Sequence, residues 1–109
     1  MHSDSIFLGW SGAKLGKEAD VEKIYKDIGA FLSKAVADKQ IDGFESVTLQ
    51  PHGGDLNGFI LIRGASASLA KIRDSEQWRG IIGRAIHAVD GLGVLEAWVL
   101  DDSLSPRQK

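Results

Sequence analysis

The apolar positions of the chain fall into four short strand-like runs and two long helical stripes, in the order βαββαβ. Ile6-Phe7-Leu8-Gly9-Trp10 is a short apolar run closed by the turn-rich Ser11-Gly12-Ala13, which predicts a first strand. From about Lys17 to Lys39, Val21, Ile24, Tyr25, Ile28, Phe31, Leu32, Ala35 and Val36 recur at three- and four-residue steps. Glu22, Lys23, Lys26, Asp27 and Lys34 take the opposite side, the pattern of an amphipathic helix. After Asp42-Gly43, the stretch Phe44 to Gln50 alternates with period two and carries β-branched Val47 and Thr48. It predicts a half-buried second strand, which Pro51 assigns to a sheet edge.

His52-Gly53-Gly54-Asp55 supplies turn residues before Gly58-Phe59-Ile60-Leu61-Ile62-Arg63, so strands two and three form a hairpin. Ser66 and Ser68 are candidate N-caps of a helical segment reaching Arg73, and Asp74-Ser75-Glu76-Gln77 restarts the helix in the manner of a capping box. The second helix is therefore expected to be broken. Trp78, Ile81, Ile82, Ala85, Ile86 and Val89 form its apolar stripe, Gly91 and Gly93 end it, and Val94 to Leu100 is the last strand. The ordered core is expected over residues 5–100 of one domain, 1–109, with 101–109 a tail that has little to bury.

This order is that of a ferredoxin-like α+β fold, in which right-handed crossovers place both helices on one face of a four-stranded antiparallel sheet and strands one and three are central. Strand three packs Ile60 and Ile62 under the helices and turns Phe59 and Leu61 away. Alternate residues along the uncovered face read Trp10, Thr48, Gln50, His52, Phe59, Leu61, Arg63, Glu96 and Trp98. A register slip of one residue would turn Trp10 toward the helices instead. Burying each large apolar side chain of such a face contributes about 1.5–3 kcal/mol, enough in sum to offset the cost of pairing two copies.

At 109 residues the chain has room for one core. Its 43% apolar and 26% charged residues are ordinary for a globular protein. The net charge of −2 lacks the cationic surplus that drives binding to nucleic acid or anionic lipid, so neither is expected as a partner. With no cysteine, disulfides and thiolate metal sites are excluded. No basic leader precedes an apolar stretch and no run reaches membrane-spanning length, which makes a cytoplasmic location the expectation.

With its element order, its exposed apolar face and the segment Asp74-Ser75-Glu76-Gln77-Trp78-Arg79 opening the second part of a broken helix, the chain resembles the dimeric α+β barrel superfamily over residues 5–100. No motif selects a subfamily. The resemblance implies a homodimer whose sheets face each other. Relatives of this kind include haem-degrading and quinol-oxidising monooxygenases, lactone isomerases, dehalogenating and dehydrating enzymes, and stress-induced proteins without known activity.

Of the residues assigned to the uncovered face, His52, Arg63 and Glu96 have the most chemical promise. Histidine exchanges a proton near neutral pH and arginine holds a carboxylate in bidentate fashion. In a catalytic role His52 would carry the proton, Arg63 hold an anion and Glu96 orient or act as base, with no obligatory cofactor. Trp10, Thr48, Gln50, Phe59, Leu61 and Trp98 would line the ligand, a small anionic or aromatic molecule held between sheet and helices or at the dimer interface. The competing expectation is a structural or stress-related homodimer without catalysis, in which Arg63 pairs with Glu96, His52 is a solvated turn residue and the tryptophans are dimer core.

Three other functions are weaker. His52 and Asp55 alone make too small a ligand set for a metal. Gly12 to Glu18 has the setting of a phosphate loop but the wrong spacing, and Glu18 would repel phosphate. An RNA-binding module would use the same open face, yet Asn57 to Ile62 lacks the leading cation and stacking aromatics of such domains.

Overall fold

The computed structural model describes residues 2–100, with side chains described from Asp4 to Val99; the predicted tail, 101–109, lies outside the described residues. Four strands form the main sheet: β1 (His2–Trp10), β3 (Gly43–Thr48), β4 (Gly58–Arg63) and β6 (Gly93–Leu100). They are antiparallel in the order β3-β4-β1-β6. The two most continuously apolar strands, β1 and β4, are central, as the sequence predicts. The polar-alternating β3 is an edge, and its hairpin with β4 is closed by Leu49 N–H donating to the Asn57 carbonyl.

The covering layer has three helices where the sequence led us to expect two: α1 (Glu18–Ala37), α2 (Ser66–Asp74) and α3 (Glu76–Ala88). Ser75 makes the expected break. It is extended (φ −70°, ψ 146°), and its Oγ donates to the Ile72 carbonyl at 2.8 Å while accepting from Trp78 N–H at 3.2 Å. One side chain thus ends α2 and caps α3. Neither Ser66 nor Ser68 caps α2, whose N-cap is Ala65 with no side-chain bond.

Ile6 and Leu8 of β1 stand beside Ile62 and Ile60 of β4, and these four pack with Ile24, Ile28 and Leu32 of α1, Leu69 and Ile72 of α2, and Trp78, Ile81 and Ala85 of α3. The Phe31 and Trp78 rings, 6.1 Å apart, join α1 to α3. Three apolar positions of the predicted stripes lie outside this core, since Tyr25, Val36 and Ile86 are exposed. The sequence did not disclose the second, two-stranded sheet, in which β2 (Gly12–Ala13) pairs with β5 (Val89–Asp90). Gly91, at φ 66°, makes the turn that follows, where an added Cβ would lie 2.1 Å from Ser11 Oγ. Backbone bonds from Ser11 N–H to the Asp90 carbonyl and from Lys14 N–H to the Ala88 carbonyl extend this ladder. It ties the chain entering α1 to the chain leaving α3.

The register corrects the predicted face. Trp10 stands opposite Gly58, and Gly58 opposite Thr48, on the side of Leu8 and Ile60. Glu96 is opposite Ile6, and Trp98 is opposite Asp4. Trp10, Thr48, Glu96 and Trp98 therefore project to the helix side, one residue out of phase with the expectation. Gln50 and His52 lie beyond the end of β3. Of the nine residues, Phe59, Leu61 and Arg63 are on the uncovered face as expected, joined there by Phe7, Val47 and Leu95.

Leu32 is fully buried at the centre of this core. Leu32→Ala is expected to lower unfolding free energy by about 2–5 kcal/mol, measured by urea denaturation followed by far-ultraviolet circular dichroism.

Candidate functional site

A cavity of about 330 Å³ opens between α1 and the Trp10 end of the sheet. Its floor is Leu8, Trp10, Thr48 and Ile60; its wall is Val21, Ile24, Tyr25 and Ile28 of α1; Ala85, Val89 and Leu92 close the back. Small residues make the space. Gly12, Ala13 and Ala85 project little or nothing into it, and Gly58 lets the Trp10 indole lie flat on the strand, where a Cβ would come within 2.7 Å of the ring. The lining is predominantly apolar, with few polar groups, the usual make-up of a small-molecule site.

Apart from Thr48 on the floor, the polar groups stand at the rim. Tyr25 Oη and Ser46 Oγ share a hydrogen bond of 2.5 Å that joins α1 to the edge strand β3. Thr48 is the next residue of β3 on the same side, and it lines the cavity. Glu18 and Glu22, one turn apart on α1, stand at the same cavity, and both are exposed. Glu22 also meets Lys26 at 3.6 Å in a solvent-exposed pair. Of these, Tyr25, Ser46, Glu18 and Glu22 lie outside the site residues that the sequence predicts. Tyr25 falls on the apolar stripe of α1, and a phenol at the margin of such a stripe is the side chain suited to leave its hydroxyl at a polar boundary.

The structure does not bring His52, Arg63 and Glu96 together. Arg63 ends β4 on the uncovered face and pairs with Glu45 of β3. Glu96 is on the helix side of β6, 3.6 Å from Arg73 of α2. His52 belongs to the 49–57 loop, past the opposite end of β4 from Arg63. The five residue steps from Gly58 to Arg63 alone span about 17 Å. Its imidazole is spent within that loop, with Nε2 2.6 Å from the Leu56 carbonyl and Nδ1 accepting from Gly54 N–H at 3.2 Å. The expected Arg63–Glu96 pair is replaced by these two separate exposed pairs.

Of the predicted ligand-lining set, Trp10 and Thr48 line the cavity. Phe59 and Leu61 form an apolar patch on the opposite face, where the Phe7 and Phe59 rings stack with centroids 5.2 Å apart and Leu95 is 51% exposed. Trp98 is exposed on the helix side of the edge strand. Among the described residues, no group of three or more histidine or carboxylate side chains is placed to hold a metal ion, and no helix is long and apolar enough to cross a membrane.

No family model matches the chain, and no curated protein matches it. Solved structures share its fold. A hydroxynitrile lyase from Passiflora edulis superposes with a TM-score of 0.72 at 12% identity, covering 91% of this chain and 95% of that one. A dabb family protein with a ferredoxin-like fold from Mesorhizobium loti gives a TM-score of 0.70 at 13% identity, covering 93% and 100%. A dimeric protein of unknown function and ferredoxin-like fold from Bacteroides fragilis gives 0.61 at 5% identity, covering 86% and 93%. The fold is thus the ferredoxin-like one found among dimeric α+β barrel proteins.

The contact of Trp10 with Gly58 sets the shape of the cavity floor. Gly58→Ala is expected to displace the indole and cost about 1–3 kcal/mol of stability, read as a lower denaturation midpoint together with loss of the Trp10 signal in near-ultraviolet circular dichroism of a Trp78→Phe, Trp98→Phe background.

Proposed function

We propose that the chain works as a homodimer joined across its uncovered sheet face, each protomer binding a small, largely apolar, aromatic-sized molecule between sheet and helices. The observation that carries this is the cavity of about 330 Å³ floored by Trp10 and closed by the β2–β5 ladder. Its volume is at the lower end of the range for small-molecule pockets. Ring-shaped ligands suit it because the indole and the phenol offer flat apolar surface.

Pairing of two copies is supported by the patch of Phe7, Val47, Phe59, Leu61 and Leu95. At about 1.5–3 kcal/mol for each fully buried side chain, covering these residues favours association. A neighbour of the same fold is described as dimeric, which supports the same reading.

Enzymatic action in the cavity would fall to its hydroxyl groups. Tyr25 Oη and Ser46 Oγ are already joined by a hydrogen bond, and Thr48 lies on the same edge strand. Another neighbour of this fold is a hydroxynitrile lyase, an activity that concerns a small organic substrate. The separation of His52 from Arg63 and Glu96 favours this hydroxyl cluster as the place to seek proton transfer.

Two experiments test the proposal. Light scattering coupled to size exclusion at micromolar concentration is expected to give twice the chain mass, and Phe59→Asp with Leu95→Asp to give the monomer; a wild-type monomer would refute the dimer. For the cavity, native mass spectrometry of the purified protein against a panel of small aromatic compounds is expected to show one molecule per chain. Ala13→Phe, which puts a ring into the cavity from its lining, should weaken that binding at least tenfold; equal binding by this variant would place the ligand elsewhere.

A further inference from the structure

The cavity has a charge preference that its apolar lining hides. We infer, building on the cavity proposed above as a ligand site, that its ligand is an aromatic or aliphatic amine whose cationic head lies at the rim between Glu18 and Glu22, rather than an anion. Apart from the Tyr25 phenol, the ionisable residues lining the cavity are these two carboxylates, and no lysine, arginine or histidine lines it.

None of the cations nearest in sequence, Lys14, Lys17, Lys23 and Lys26, lines the cavity, and among these four Lys26 alone meets one of its carboxylates. Lys14 Nζ donates to the Ile86 carbonyl at 3.2 Å, Lys17 is 3.9 Å from Asp20, and Lys26 reaches Glu22 from the next turn of α1. An anionic ligand would find no counter-charge on the lining and two carboxylates at its mouth, one of them paired with Lys26. The exposed amides at the start of α1 offer it little, because Glu18 and Asp20 already occupy the first turn of the helix. An ammonium group gains from both sides. The carboxylates attract it, and the faces of Trp10 and Tyr25 interact favourably with a cation held near them. Because Glu18 and Glu22 are solvent-exposed the attraction is screened by salt, so the preference is moderate, about fivefold for amine over an uncharged analogue.

The test uses three compounds of one shape, 2-phenylethylamine, 2-phenylethanol and phenylacetate, titrated into the wild-type protein and followed by the indole N–H resonance of Trp10. The expected order of affinity is amine, then alcohol, then acid, with the amine about fivefold tighter than the alcohol. In Glu18→Gln, Glu22→Gln protein the amine-to-alcohol ratio should fall to near one, and in wild type it should shrink at 1 M salt. If the alcohol binds while the acid matches or exceeds the amine, the charge inference is overturned and the cavity stands as a ligand site. Equal affinities of amine and alcohol in wild type overturn it likewise. If none of the three moves the Trp10 resonance, the ligand site falls and the charge inference with it.

Discussion

The pairing of β1 with β4 is the constraint on which the remainder of the structure depends. Ile6, Leu8, Ile60 and Ile62 form a buried apolar square on one side of these central strands, and side-chain alternation then fixes what every other position must do. The helices collect on that square. The opposite positions, Phe7, Phe59 and Leu61, are left facing outward by geometry rather than by polarity. The cavity follows from the same pairing, since at its last rung Trp10 meets Gly58 instead of a side chain of matching bulk.

Element order, the central and edge strands, the β3–β4 hairpin and the broken second crossover were all legible in the residues. Helix periodicity was clear because α1 is strongly two-sided, and Ser75 has the chemistry that a helix start requires. Side-chain direction in the strands was not legible. Ile6 to Trp10 is apolar on both faces, so alternation carries no sign for it. On β6 the more apolar series, Leu95, Ala97 and Val99, points away from the helices, while Glu96 points toward them and is met by Arg73. A strand whose outward side is the greasier one inverts the usual rule, and the proposed pairing of two copies would account for it.

The candidate site was legible in part. Trp10 and Thr48 belong to it, although on the face opposite the one assigned to them. Tyr25, Ser46, Glu18 and Glu22 join it only because α1 crosses the end of the sheet, a long-range fact with no local sequence signal. His52 is the instructive failure. A histidine between Pro51 and Gly53 invites a chemical reading, yet its two ring nitrogens close a turn with Leu56 and Gly54, which turn residues commonly do for their own backbone.

The last two rungs of β1 and β4 place a glycine beneath an aromatic ring on each side of the sheet. Trp10 covers Gly58 on the cavity side; Phe7 covers Gly9 on the other, where Leu56 also rests. Gly9 and Trp10 are chain neighbours, as are Gly58 and Phe59, so the two layers are separated by a single thickness of backbone. This corner therefore has little tolerance for substitution. A methyl group added at either glycine strikes a ring, and a ring removed from either side leaves bare backbone carrying no side chain to fill the space. Drift in sequence that the exposed helix surfaces absorb freely would here alter the floor of the cavity and the apolar patch behind it in one step.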